Sequence, residues 1–156
     1  MRQTLRSELS GELYELLNGR DLETKQHEAM MLLTVTEEGW PHTAMISVGE
    51  VIAVDAKRLR LAIWPDTTTT NNMIRTEKAT LALVYGGAAH YIKLALRRLP
   101  ELSGAKYPRE RFEAEIISAR SDVAVYADLT TGIQIDLKDK SSVLERWRET
   151  LTELML

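Results

Sequence analysis

Apolar positions along this chain follow two rhythms. Near the ends they recur about every 3.6 residues, and through the middle they alternate. Leu5, Leu9, Leu13, Leu16 and Leu17 share a helical stripe, which predicts an amphipathic N-terminal helix over 1–18. Asn18-Gly19 ends it with residues that tolerate a left-handed cap. Ala29 to Thr36 reads as a strand, Glu37-Glu38-Gly39 as a turn, and His42 to Val48 as the returning strand of a hairpin. Leu59 to Trp64 alternates again and stops at Pro65-Asp66. A short helix over Met73 to Lys78 follows, then strands over Thr80 to Tyr85 and Tyr91 to Leu96 across a Gly86-Gly87 turn. Phe112, Ala114 and Ile116 mark another strand, Asp122 to Leu129 a short helix, and Ile133, Ile135 and Leu137 a last strand. Ser142 and Glu145 have capping-box spacing ahead of Val143, Trp147, Leu151 and Leu154, which predicts a C-terminal helix over 141–155.

Many short alternating strands with one internal helix predict a mainly β (α+β) fold. The expected form is an antiparallel split β-barrel over 28–137 with flanking N- and C-terminal helices, a single domain over 1–156. Length agrees, since 156 residues suit one sizeable core.

Composition narrows the chemistry. With no cysteine, disulfides and thiolate chemistry are excluded, and the three histidines lack metal-ligand spacing, so no metal site is expected. A net charge of −3 without long basic runs weighs against nucleic acid and anionic membranes. No apolar run reaches membrane-spanning length and the N-terminus does not resemble a signal peptide, so a cytoplasmic location is expected.

One stretch stands out as candidate chemistry. Thr67 to Asn72 places four threonines and two asparagines between a strand and a helix. Hydroxyls, carboxamides and unpaired N–H groups at a helix start suit an anion such as a flavin or nucleotide phosphate. The plainer alternative is a polar helix cap. Glu113 and Glu115 read as the wet side of a strand, not as an acid–base pair.

Three passages resemble one known family. They are Gly39-Trp40-Pro41-His42 with its alternating strand, Leu61 to Asp66 through Asn71 to Leu83, and Phe112-Glu113-Ala114 with Tyr126 to Ile133 and Glu145-Arg146-Trp147. Together they resemble the pyridoxamine 5′-phosphate oxidase-like, FMN-binding split barrels, over roughly 28–137. The resemblance implies a homodimer that holds FMN in a groove between subunits, its phosphate near the strand–loop–helix passage. Where the family places basic residues, this chain has Thr68, Thr69, Thr70, Asn71 and Asn72 in the loop and His42-Thr43 on the hairpin strand. Arg75 and Lys93 are the cations that could supply the missing charge. Trp64 reads as a rim aromatic or a neighbour of the flavin ring, and His42 as a solvated residue or a donor to the phosphate. Two functions follow. One is an FMN-dependent oxidoreductase acting on an unidentified small molecule. The other is a non-catalytic split-barrel dimer that binds flavin, another cofactor such as haem, or none.

Overall fold

Gly86 and Gly87 both have positive φ, 61° and 78°, and close a two-residue turn that most side chains resist. The turn joins two antiparallel strands whose register pairs Tyr85 with Ala88 and Lys78 with Ala95. In the computed structural model, which describes residues 2–156, this hairpin lies at the centre of the sheet.

Among the described residues there are nine strands: β1 (Arg2–Arg6), β2 (Glu28–Val35), β3 (Pro41–Ser47), β4 (Val51–Ala53), β5 (Arg58–Ile63), β6 (Lys78–Tyr85), β7 (Ala88–Arg98), β8 (Glu110–Val123) and β9 (Ile133–Gln134). They run β3-β2-β6-β7-β8-β5-β4, every pairing antiparallel, with β1 added to β8 and β9 to β2. The long strand β8 bends the sheet. Its first half pairs with β5, its second half with β1, and its register with β7 shifts between Lys93 and Leu94. Such a bulge adds twist and curvature. The sheet curls into a half-barrel, and the expected antiparallel split barrel is what forms.

The inner face holds the core. Met30, Leu32, Leu59, Leu61, Leu81, Ile92 and Phe112 are all essentially inaccessible there. Helix α1 (Gly11–Leu17) closes one side with Leu13, Leu16 and Leu17, followed by the short α2 (Leu22–Lys25). Helix α4 (Lys140–Leu154) buries Leu144, Trp147, Leu151 and Leu154. Gly49 lets Trp147 sit flat against the backbone: a Cβ there would lie 2.1 Å from the indole Cγ.

Several local expectations are corrected. The helix over 1–18 does not form as a unit. Arg2–Arg6 is strand β1, zipped onto the second half of β8, and Leu5 is 72% exposed. Ser10 starts the helix instead, its hydroxyl accepting from the Leu13 N–H at 3.2 Å. The pairing offered by β8 outweighs the helical spacing of Leu5. The capping box at Ser142 and Glu145 is absent, because α4 begins two residues before Ser142 with no side-chain cap. No helix forms over Asp122 to Leu129, since β8 runs on to Val123. The three-residue strand β4 was too short to give a periodic signal.

Candidate functional site

The threonine run is the first turn of a helix and not a loop. Helix α3 (Thr68–Thr76) starts five residues earlier than the apolar pattern suggests, because Thr67 caps it. The Thr67 hydroxyl accepts from the Thr70 N–H at 3.1 Å. The Thr70 hydroxyl donates to the Trp64 carbonyl at 2.6 Å, pinning the helix to the end of β5. Asn72 donates to the Thr34 hydroxyl at 3.0 Å inside the protein and accepts from Arg75 at 3.1 Å. Thr69, Thr70 and Asn72 are accordingly buried, while Thr68 and Asn71 face solvent. What remains open at the helix start is the Thr68 hydroxyl, the Asn71 carboxamide and the first N–H groups, which have no intrahelical acceptor.

The other predicted residues are not gathered there. Arg75 lies in the last turn, roughly 10 Å along the axis from Thr68, and bonds the Val35 carbonyl. His42 pairs across from Thr34 and so shares the face on which Asn72 bonds. Thr43 and Lys93 lie on the opposite, outer face. They share one cross-sheet row, Thr43–Leu33–Thr80–Lys93, three strand spacings or roughly 14 Å apart. Within one copy of the chain they cannot grip one phosphate together. Trp64 is 57% exposed, and the Arg109 guanidinium lies 3.6 Å from its ring centre.

That stacking leads to a second region that the sequence did not flag. Glu50 follows Gly49 in the turn after β3, and its carboxylate accepts from the Ser47 hydroxyl at 2.9 Å and N–H at 3.2 Å. Burial pushes its pKa above the ordinary value, against the pull of Ser47, Arg109 and Arg146. Trp64, Trp147, Arg109 and Arg146 surround it. On the other side of Arg109 opens a cleft of about 880 Å³ between the β7–β8 connection and the end of α4. Arg111, 8% exposed, forms part of its wall. Burial first, then the neighbouring arginine, lowers the pKa of both Arg109 and Arg111. Arg111 was invisible to the alternation argument. It holds a wet-face position in β8, next to Phe112, and α4 covers it.

Relatives of known sequence and structure then fix the family. One protein of Bacillus subtilis (strain 168), the uncharacterised protein YclD, is 49% identical over 146 residues, covering 94% of this chain and 95% of the relative. The chain belongs to the YclD family. No family model matches it. Among solved structures, a candidate pyridoxamine 5′-phosphate oxidase of Lactobacillus delbrueckii superposes with a TM-score of 0.59 at 16% identity, covering 76% of this chain and 98% of that one. Group A Streptococcus HupZ superposes with a TM-score of 0.55 at 14% identity, covering 82% and 99%. These two likenesses establish the fold: this chain is a split barrel like those two proteins.

In this YclD-family barrel the two regions meet at Trp64. Its carbonyl anchors the start of α3, and its ring anchors Arg109. One aromatic therefore couples the helix start to the arginine-lined cleft. No helix among the described residues is long and apolar enough to cross a membrane.

Proposed function

We propose that this protein is a homodimeric flavin-binding split barrel that serves as an FMN-dependent oxidoreductase for a small-molecule substrate. The observation that carries the reading is the open start of α3. The Thr68 hydroxyl, the Asn71 carboxamide and unpaired helical N–H groups face outward together there. A helix start favours negative charge, so these groups fit a phosphate, though without the cation that would strengthen the grip. The candidate oxidase among the structural relatives supports the same chemistry. Bound FMN would supply hydride or electron transfer, and the chain would bind and orient it.

The outer sheet face supports a second copy. Leu5, Arg120, Tyr91, Ala82, Met31 and Met45 form one continuous row across six strands, roughly 24 Å wide. Leu5 and Met45 are 72% and 56% exposed, and Arg120 stacks on Tyr91 at 4.6 Å. Exposed apolar groups lined up across a sheet mark an interaction surface. The same face of a twin molecule would cover them and bring a second Lys93 toward the groove.

A non-catalytic reading has its own support. Thr70 and Asn72 spend their donors inside the fold, and Arg75 is engaged with Asn72 and Val35. A dimer that binds flavin weakly, or another cofactor, would look the same. The test is an FMN titration followed by flavin fluorescence, on wild type and on Thr68→Ala/Asn71→Ala. Saturable binding that the double variant weakens by roughly five- to a hundredfold supports the FMN reading, since two neutral hydrogen bonds are removed. No binding to wild type overturns it and leaves the non-catalytic reading. Equal binding to both proteins moves the phosphate elsewhere.

A further inference from the structure

We propose that the β7–β8 connection over 99–109 is a strap that lifts away from α4 to open the cleft down to its floor, and that Lys106 is the fastening that holds it shut. The proposal does not depend on flavin binding.

The first observation is how little the strap gives to the core. No residue from Leu99 to Arg109 is buried, and Leu102, Ala105 and Tyr107 line the cleft only half-buried. The floor beneath is different. Ala62, Thr150 and Leu154 line the same cleft and are 2%, 5% and 1% exposed. A segment with few buried apolar groups opens at low free energy while its neighbours stay folded.

The second observation is where the strap is tied. At its start the Leu99 N–H donates to the Arg111 carbonyl at 2.7 Å, and the Arg111 Nη1 donates to the Pro100 carbonyl at 3.0 Å. At its end Arg109 stacks on Trp64, 3.6 Å from the ring centre. Pro100 and Pro108, just inside those two ties, fix φ and give no N–H. Between them only Lys106 reaches across to α4 among the described residues. Its N–H donates to a Glu153 carboxylate oxygen at 2.8 Å, and its Nζ pairs with Glu149 at 3.0 Å. The middle of the strap therefore swings on two prolines and is held at one residue.

The third observation is the kind of tie. The Lys106 and Glu149 side chains are 58% and 32% exposed, and the Glu145 charge also acts on Lys106. Such a wet pair is weak and is screened by salt. The apolar contacts that hold α4, through Leu144, Trp147 and Leu151, are not electrostatic. Rising ionic strength thus loosens the strap and leaves the helix in place.

The chain contains no cysteine, so Ala62→Cys puts a single thiol on the cleft floor. Its rate of reaction with dithiodipyridine, an uncharged reagent, measures opening, and Ser103→Cys on the exposed part of the strap is the reference. The floor thiol should react slowly in dilute buffer and faster in salt at about 0.5 M, where charges are screened within about 4 Å. Ser103→Cys should react fast in both. Adding Lys106→Ala should speed the floor thiol roughly two- to fivefold, the scale of one exposed ion pair, and remove most of the salt effect. A floor thiol as fast as the reference in dilute buffer overturns the proposal. So does a rate that Lys106→Ala leaves unchanged, or a salt effect that survives it in full. A second measurement spares the floor. Endoproteinase Lys-C should cut after Lys106 faster in Glu149→Gln/Glu153→Gln than in wild type, and equal rates would also overturn the strap.

Discussion

The Thr70 hydroxyl is bonded to the Trp64 carbonyl at 2.6 Å, which makes it a structural tie between β5 and α3. Its burial, at 1% exposure, agrees. Thr70→Val keeps the shape and removes the hydroxyl, leaving the Trp64 carbonyl only the longer bond from the Thr67 hydroxyl at 3.3 Å. The expected cost is about 1–2 kcal/mol in urea denaturation. Thr68, on the solvent side of the same turn, should cost less than about 0.5 kcal/mol as Thr68→Ala. Equal losses from the two would mean that the buried bond is not made.

Gly49 and Trp147 give a second test of packing. A methyl group at Gly49 would fall within 2.3 Å of three indole carbons, and the ring is buried with no free side to retreat to. Gly49→Ala should destabilise by about 1–3 kcal/mol and change the near-ultraviolet circular dichroism of the tryptophans. An unchanged denaturation midpoint would show that α4 does not lie on this turn.

The legible parts of the fold were those where two signals agreed. Alternation and Gly86-Gly87 both pointed to the β6–β7 hairpin, and its register followed. Leu5 shows the opposite case. Its spacing to Leu9 is helical, but the partner that decides its conformation, Arg120 on β8, is over a hundred residues away. The same limit hid the site. Residue type shows that Thr70 and Asn72 can donate, and only the fold shows that Trp64 and Thr34 already receive. Arg111 looked like wet-face alternation because nothing local reveals that α4 covers it. Nothing in the alternation of β5 reveals that Arg109, forty-five residues on, stacks on the exposed Trp64 ring at its end.

Assembly has a direct test in Met45, on β3 in the exposed row with Tyr91 and Leu5. Met45→Arg places a charge in the proposed interface and removes nothing from the inner core. Light scattering should return a dimer for wild type, and a monomer for the variant at the same micromolar concentration, with unchanged far-ultraviolet circular dichroism. A standard interface buries more than about 1,000 Å² in total, and a charge buried in it without a partner weakens the dimer. A monomeric wild type would refute the twin-molecule reading, and a dimeric variant would place the interface on another face.

Glu50 makes stability depend on pH in a direction opposite to most carboxylates. Burial raises its folded pKa, with Ser47 and the two arginines opposing but not cancelling it. An unfolded glutamate titrates near about 4.3. Between that value and the raised one the folded chain holds more protons than the unfolded chain. Stability from this group is therefore fully present below the unfolded value, and is lost as pH rises through the folded one. Gln at this position keeps an oxygen for Ser47 and carries no charge to desolvate. Glu50→Gln should consequently be more stable than wild type at neutral pH, with the advantage shrinking to nothing toward pH about 4. Urea denaturation of both proteins across that range reads the difference directly. Glu113 offers the matching control. Arg97, then Arg60, holds its carboxyl below the ordinary value, so Glu113→Gln should lose stability at neutral pH and converge with wild type in acid. A difference between wild type and Glu50→Gln that does not change with pH would show that Glu50 is not held in a desolvated site.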